Sequence, residues 1–168
     1  MAKIYFGEPS SVNKKIIVPI HIDSEGESVN AFEVKIKFSD SLIFRDFQEA
    51  GSIINFWIEK PFIQNNIIQF SGVSIGGYIG KKGLLINLIF EAKKDKALIE
   101  ILPLSKVLLN DGSGTSVELK VEKKFLDIQK LKVQEVIEDK YPPESFKIYL
   151  SRNKEIFGNK YFIVFNTT

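Results

Sequence analysis

Residues 67–93, IIQFSGVSIGGYIGKKGLLINLIFEAK, decide the fold that the sequence predicts. This stretch contains two apolar runs of strand composition, residues 67–70 and 84–90, and the segment between them is rich in glycine. Short β-branched and aromatic runs on either side of a glycine-rich segment are typical of two strands joined by a turn. We therefore expect a pair of strands that are neighbours in one sheet.

The second of these runs has almost no polar face, because Asn87 is its only polar residue. A half-exposed antiparallel strand normally alternates between apolar and polar residues. The run is therefore either covered on both faces or presents apolar surface to a partner. In a sandwich of two sheets, alternation sends every second residue from Ile86 into the core. The residues that we then expect to face outwards are Leu85, Asn87 and Ile89.

The remainder of residues 1–121 predicts an all-β domain. Residues 31–38 alternate strictly between apolar and polar side chains, which indicates a strand with one buried face. Asn110-Asp111-Gly112 is a strong hairpin signal. Pro19 predicts an edge or a bulge in its strand, and Pro61 is expected to break another. About nine short strands, with turns every 8–12 residues, favour a β-sandwich or barrel.

The composition excludes several classes of function. Hydrophobic residues make up 44% of the 168 and charged residues 26%, as in ordinary globular proteins. The net charge is +2 and both signs are interspersed, so nothing favours nucleic acid as a partner. No run approaches the roughly 18 apolar residues of a membrane span, so we expect no direct membrane insertion. The chain has no cysteine, which excludes disulfides and thiolate metal sites.

No catalytic residue, metal or cofactor is predicted. His21 is the only histidine, and its strand context favours a place on the polar side of a sheet. No G-x-S-x-G motif accompanies it. The segment around Asp111 offers one carboxylate, whereas Ca²⁺ takes six to eight oxygen ligands, so a tight turn is the better interpretation. We therefore predict a binding module and not an enzyme.

The last quarter of the chain has a different character. Residues 123–137 fit helical and strand periods about equally well, and the β context favours a strand. Residues 138–144 are charged and end in a proline pair, which predicts a semi-rigid linker. We expect a domain at 1–121, a connecting strand and linker at 122–144, and a β-hairpin at 145–168. A lone hairpin is marginal in water, so the last segment is interpreted as the start of a truncated second domain.

The order of features in residues 3–119 resembles the cohesin family and, through it, related carbohydrate-binding sandwiches. The resemblance implies a nine-stranded jelly-roll β-sandwich that binds dockerin-like proteins in extracellular or cell-surface polysaccharide-degrading assemblies. The segment after Pro142-Pro143 is similar to the entry of an immunoglobulin-like domain. The matching pieces are VPI at 18–20, NAFEVKIKF at 30–38, Leu42-Ile43, GSII at 51–54, IIQF at 67–70, GLLINLIFEAK at 83–93 and VLLNDG at 107–112.

The resemblance also implies a binding surface. Cohesins contact dockerin through one sheet face, built on the third, fifth, sixth and eighth strands. Glu33 falls where the pattern has an acidic residue, whereas Ala31 replaces a polar one. The residues that we expect to contact a protein partner are Glu33, Lys35, Gln69, Leu85, Asn87 and Ile89.

Two alternative functions remain open at this stage. The first is a carbohydrate-binding module in which Trp57 and Tyr78 stack on sugar rings of a polysaccharide. Large aromatic residues near strands usually belong to the core, and Tyr78, which lies between glycines, is the better candidate for exposure. The second is a structural stalk or adhesin segment whose apolar face is covered by the following domain.

Overall fold

The structure is a computed structural model, and it describes residues 1–133, 148–152, 155, 158 and 161–165. It divides into two compact units, Met1–Val136 and Ile137–Thr168. The strands are β1 (Ala2–Phe6), β2 (Ser10–Val12), β3 (Lys15–Asp23), β4 (Val29–Phe38), β5 (Leu42–Gln48), β6 (Phe56–Gln64), β7 (Ile67–Tyr78), β8 (Gly83–Ala92), β9 (Lys96–Ile101), β10 (Lys106–Leu109), β11 (Leu119–Lys120), β12 (Lys123–Asp127), β13 (Lys132–Val133), β14 (Ile148–Arg152) and β15 (Tyr161–Phe165).

The first unit consists of two mainly antiparallel sheets. In the first sheet, β3 pairs with β1 and β2 on one side and with β8 on the other, and β8 pairs in turn with β5. Two short strands, β11 and β13, add to β1 and β2 in parallel. In the second sheet, β4 lies between β7 and the successive strands β9 and β10. The edge strands β6 and β12 pair with β7 and β9.

The core lies between the two sheets. Along β3 and β4, every second side chain is buried, as the alternation in the sequence predicts. Phe90 of β8 makes edge contacts with Phe38 across the sandwich, at 5.5 Å between ring centroids, and with Phe44 at 5.7 Å. Such edge contacts add to the free energy gained by removing large rings from water. The predicted all-β sandwich is confirmed.

The expectation that the two runs of residues 67–93 are sheet neighbours is wrong. The first run lies in β7 of the second sheet, and the second run lies in β8 of the first sheet. The glycine-rich segment therefore crosses from one sheet to the other. Its turn needs glycine, because Gly76 and Gly77 have φ values of 87° and 81°. A Cβ on Gly77 would also lie 2.5 Å from the side-chain nitrogen of Asn110.

The outward orientation predicted for Leu85 is also wrong, because β8 carries a bulge at this residue. Ile20 of β3 pairs with Ile86, but the next residue, His21, pairs with Leu84, so Leu85 is the extra residue. A bulge interrupts the alternation of side chains. As a result Leu85 and Ile86 are both fully buried in the core. The Ser52 hydroxyl donates a 2.6 Å hydrogen bond to the Leu85 carbonyl oxygen and secures this position.

Ile89 differs from the expectation in another way. It pairs with Ile17 of β3, a residue of the outward series, and it is absent from the core cluster. Nevertheless only 7% of its surface is exposed. β8 has a neighbouring strand on each side, and Ile17 and Asp46 lie opposite Ile89 on the two neighbours. A residue in the middle of a sheet is covered by its cross-strand neighbours, so Ile89 offers little surface to a partner.

Both prolines fit their strands without the effects first expected. β3 is an inner strand, and Pro19 lies opposite the interval between the end of β1 and the start of β2, where the missing N–H is not needed. The register shift in this strand occurs on its other side, after Ile20. Pro61 does not end its strand, because β6 is an edge strand with a register shift between Glu59 and Phe62.

The connecting strand expected after residue 121 belongs to the first unit, since β12 pairs with β9 over Lys123–Asp127. The turn at 110–115 is confirmed as a hairpin, with Gly112 and Gly114 at positive φ. In this turn the Thr115 side chain and, to a lesser degree, the Ser113 N–H lower the pKa of the Asp111 carboxyl by hydrogen bonding.

In the second unit, β14 and β15 form an antiparallel pair. The predicted linker at 138–144 lies outside the described residues, and the immunoglobulin-like domain stays a prediction.

The bulge makes a quantitative prediction for Leu85→Ala. Because Leu85 is fully buried, we expect this substitution to lower the free energy of unfolding by about 2–5 kcal/mol. Asn87→Ala is the matched control on the same strand and should change it by less than about 1 kcal/mol. Urea unfolding followed by circular dichroism measures both. Equal, small effects would mean that Leu85 faces outwards after all.

His21 predicts a pH dependence of stability. Its ring stacks on Tyr5 and its Nδ1 is buried without a hydrogen-bond partner in the described structure. Burial, with the charge of Lys82 as a lesser cause, lowers the pKa of His21 in the folded chain. The unfolded chain therefore binds more protons at mildly acidic pH, and the stability present above the unfolded-state pKa is lost as pH falls below it.

We accordingly expect the free energy of unfolding to rise between about pH 5 and pH 7, and to rise less steeply in the variant His21→Gln. Urea titrations at several pH values measure the two slopes. Parallel slopes for the two proteins would contradict the assignment.

Candidate functional site

The outward face of the second sheet carries a depression, here called the trough. Its floor is formed by β4 and β7, and its two walls are formed by β10 and by β6. The volume of the trough is about 300 Å³. The outward side chains and strand segments that line it are Ala31, Glu33, Lys35, Ile58, Glu59, Gln69, Ser71, Lys106 and Leu108.

Strand register arranges these side chains in rows that run across the sheet. One row is charged and polar: Lys106 pairs with Glu33, Glu33 with Ser71, and Ser71 with Glu59. The next row is apolar. It consists of Leu108, Ala31, Val73 and Phe56, each paired with the next. Leu108 and Ala31 of this row line the trough, and the other two residues continue the row beside it. The sheet face therefore combines a polar row with an apolar row, which is the composition of many protein interfaces.

Bulges in the edge strand bring two neighbouring residues of β6 to the trough. Trp57 pairs with Gly72 and Glu59 with Ser71, so Ile58 is an extra residue between them. Because the bulge breaks the alternation, Ile58 and Glu59 both line the trough. The side chain of Ile58 is 66% exposed, and that of Phe56 is 58% exposed. Large apolar side chains exposed together on one face are typical of an interaction surface.

The floor and the β10 wall are fixed by hydrogen bonds at Ser105. The Lys35 N–H donates to the Ser105 hydroxyl at 3.0 Å, and the Leu102 N–H donates to the Lys35 carbonyl oxygen at 2.8 Å. Ser105 is 5% exposed. These bonds hold the point where β4 exchanges one partner strand, β9, for the next, β10. The β10 wall is thus held in place by hydrogen bonds within the sheet.

The charged side chains of the floor balance each other, whereas each wall carries one charge. The Lys35 ammonium forms a 3.0 Å ion pair with the Glu33 carboxylate on the same strand. Lys106 on one wall and Glu59 on the other are exposed, and neither forms an ion pair with any described residue. The trough therefore presents one free positive charge and one free negative charge on opposite walls.

The structure brings together half of the predicted contact residues. Glu33, Lys35 and Gln69 lie in the trough. Leu85, Asn87 and Ile89 lie in the other sheet, on β8, and Leu85 and Ile89 are buried. The six residues therefore do not form one surface. β7 (Ile67–Tyr78) forms the trough together with β4 and β6, its neighbours in the second sheet. The run that begins at Leu84 lies in β8, in the other sheet of the sandwich.

Sequence reasoning missed the walls of the trough. Lys106 precedes a short apolar run, residues 107–109, and Leu108 is the middle residue of that run. Nothing in the sequence shows which strand this run joins. Ile58 and Glu59 are not predicted as wall residues, because Pro61 is expected to break the strand pattern close to them. An edge strand with a bulge tolerates proline, and that context emerges only from the fold.

The two residues proposed for sugar stacking do not form a platform. Trp57 is half-buried, and its ring packs at 6.0 Å against Phe70 of the core. Tyr78 is also half-buried, and its ring lies against Gly80 and Gly83, which corrects the expectation of greater exposure. Trp57 pairs with Gly72, six residues before Tyr78 on β7. Each ring therefore packs against a different part of the protein itself.

Among the described residues, no group of three or more histidine or acidic side chains is arranged to hold a metal ion. No helix in the same part of the chain is long and apolar enough to cross a membrane.

Comparison with solved structures identifies the fold as cohesin-like. A non-cellulosomal cohesin from the archaeon Archaeoglobus fulgidus matches with a TM-score of 0.59 and 16% identity, over 80% of this chain and 91% of that chain. A cohesin module of a family 33 glycoside hydrolase from Clostridium perfringens matches with a TM-score of 0.57 and 14% identity, over 79% and 96%.

The third ScaB cohesin of R. flavefaciens, solved in complex with a group 1 dockerin, matches with a TM-score of 0.51 and 16% identity, over 80% and 96%. No protein-family model and no curated protein matches the chain. At these identities the comparisons establish the fold, and the resemblance to the cohesin fold is confirmed.

The packing of Trp57 makes a testable prediction. We expect Trp57→Ala to lower the free energy of unfolding by about 2 kcal/mol, because the indole ring covers Phe70. Phe56→Ala, one residue earlier and mostly exposed, should change it by no more than about 0.5 kcal/mol. Urea unfolding measures both variants. A tryptophan that is removed without loss of stability would be free to act as a binding platform.

Proposed function

We propose that this chain is a non-enzymatic recognition module that binds a protein partner of the dockerin kind through the trough. The observation that carries the proposal is the arrangement of exposed Ile58 and Phe56 beside a polar row on one rigid sheet face. Apolar anchors surrounded by polar groups provide the binding free energy of most protein interfaces. The cohesin-like fold supports the choice of partner.

The setting of the module is part of the proposal. We place it outside the cell or on the cell surface, as one element of a longer scaffolding protein. The support is the resemblance of its fold to cohesin modules, such as the R. flavefaciens cohesin solved with a dockerin. The second unit is proposed to begin an immunoglobulin-like domain that follows the recognition module.

A non-catalytic role agrees with the side chains that are available. Catalysis by His21 would need a partner for its ring nitrogens, and its Nδ1 has none in the described structure. The carboxylates of the trough are in use or isolated: Glu33 pairs with Lys35, and Glu59 lies on a separate wall. No observation favours polysaccharide as the ligand, since both candidate aromatic rings pack against the protein itself.

Binding to purified dockerins tests this function. A panel should include the group 1 dockerin that was solved with the R. flavefaciens cohesin, and isothermal titration calorimetry measures affinity. We expect at least one dockerin to bind. Ser71→Arg should abolish that binding, because it places a long charged side chain in the floor of the trough.

Asn87→Arg is the matched control, since Asn87 lies on the opposite sheet. It should leave the affinity unchanged, and circular dichroism should show that both variants fold. A panel in which no dockerin binds, or binding that survives Ser71→Arg, would refute the proposal.

A further inference from the structure

We infer that β12 (Lys123–Asp127) of the first unit pairs with β12 of a second copy of this chain, in antiparallel orientation and with Phe125 of one copy opposite Phe125 of the other. This inference goes beyond the proposed function. It concerns one edge of the second sheet, whereas the proposed function concerns the trough on the face of that sheet.

β12 is an edge strand that lacks bulges and proline. Among the described strands it pairs with β9 alone, and its register with β9 runs from Lys123 to Asp127 without a shift. The other long edge strands, β5 and β6, both contain register shifts, and β6 also contains Pro61. Bulges and prolines of this kind prevent edge strands from pairing with other chains. The remaining protection of β12 is the charge of its lysines.

The free edge of β12 carries the backbone groups of alternate residues. The Ile101 N–H donates to the Glu122 carbonyl oxygen at 3.0 Å, and the Ile128 N–H donates to the Asp95 carbonyl oxygen at 2.8 Å. In an antiparallel pair, residues that bond to the partner strand alternate with residues whose N–H and C=O point away. Because 122 and 128 bond to the β9 side, the even-numbered residues of β12 do so as well. The N–H and C=O groups of residues 123, 125 and 127 therefore point to the free edge.

These three residues match the same three residues of a second copy. Antiparallel pairing centred on Phe125 places Lys123 opposite Asp127 at both ends of the paired strands. Each opposite pair would exchange two N–H···O bonds. Every backbone group that β12 leaves at its edge would thereby gain a partner.

The aromatic side chain at the centre favours this pairing. Phe125 lies beside Leu98 of β9, and 75% of it is exposed, the largest fraction of any large hydrophobic residue in the described part of the chain. Self-pairing would bring the two Phe125 rings together on one face of the extended sheet. Aromatic pairs on opposite strands stabilise a sheet and remove apolar surface from water.

The charges at the two ends select the register. Lys123 is exposed and forms no ion pair with a described residue. Asp127 forms a 3.4 Å ion pair with Lys130, whose side chain is 83% exposed, and a pair so exposed contributes little stability. Opposite charges on facing residues stabilise paired strands, whereas a parallel pairing would bring like charges together. The lysine that protects the edge from other strands therefore favours this one.

The surroundings of β12 leave room for an added strand. β12 borders a depression of about 560 Å³, and the rest of its lining comes from segments 8–10 and 130–132. No described side chain fills this space. The edge is therefore not closed by the segment that follows β12 in the described part of the chain.

A strand of another protein would use the same backbone groups, but the charge pattern favours a second copy. A foreign strand would need an acidic and a basic residue at the two ends and an apolar residue between them, whereas a second copy has this arrangement by symmetry. Two strands of five residues form a contact below the standard size of a stable interface. We therefore expect a weak dimer with a dissociation constant of roughly 0.1 mM.

Sedimentation equilibrium of the full chain, from about 10 µM to about 1 mM, tests the inference. Lys123→Asp and Asp127→Lys each place like charges opposite each other in a dimer of identical copies, and an equimolar mixture of the two variants restores opposite charges at both ends. Phe125→Pro removes the central N–H and the ring, and it spares the pairing with β9 because this N–H points away from β9. Lys60→Asp, on the far edge strand β6, controls for net charge.

We expect the unaltered chain and Lys60→Asp to form the same dimer. Each β12 charge variant alone should associate about tenfold more weakly, and the mixture should recover the dissociation constant of the unaltered chain. Phe125→Pro should remain a monomer at every concentration. Circular dichroism should show that the variants keep the β-fold.

A chain that stays monomeric at about 1 mM would overturn the inference, and so would a dimer that survives Phe125→Pro. A mixture that associates no better than its two components would overturn the pairing of Lys123 with Asp127, even if Phe125→Pro fails to fold. A dimer that is dissolved by Ser71→Arg, but not by the charge variants, would also overturn it, because self-association would then use the trough. The dockerin titrations remain an independent test, since no β12 residue lines the trough.

Discussion

Phe90 joins the two sheets of the first unit, and the arrangement of those sheets depends on the packing around it. Its ring contacts Phe38 of the second sheet and Phe44 of its own sheet. Around this contact, the alternating side chains of β3 and β8 meet those of β4 and β7. Burial of this apolar surface fixes which side of each strand faces inwards. The same burial leaves the alternate side chains of β4 and β7 on the outward face of the second sheet.

The trough follows from three local features imposed on that packing. β4 exchanges β9 for β10 at Ser105, which places Lys106 and Leu108 on one wall. The bulge at Ile58 makes two consecutive residues of β6, Ile58 and Glu59, line the other wall. The small residues Ala31 and Ser71 lie on the floor between them. A surface built on paired strands and held by backbone hydrogen bonds loses little conformational entropy when a partner binds, which favours affinity.

Periodicity in the sequence was sufficient to predict the fold class and the long strands with one buried face, such as β3 and β4, because alternation reports directly on burial. It placed Glu33, Lys35 and Gln69 correctly on an outward face. It failed for Leu85, because a bulge adds one residue and reverses the expected orientation, and alternation cannot reveal it. It failed for the pairing of residues 67–70 with 84–90, because a turn within a sheet and a crossing between sheets use the same glycine-rich sequence. The wall residues were missed because strand partners are set by tertiary packing.

Chemical-shift mapping by nuclear magnetic resonance tests the central claim most directly. The amide signals of the ¹⁵N-labelled chain would be followed as a dockerin that binds is added. The account predicts that the largest changes fall on β4, β7, β10 and β6, at residues such as Ala31, Ser71 and Lys106. Changes centred on the outward face of β3 and β8, around Asn87, would contradict it.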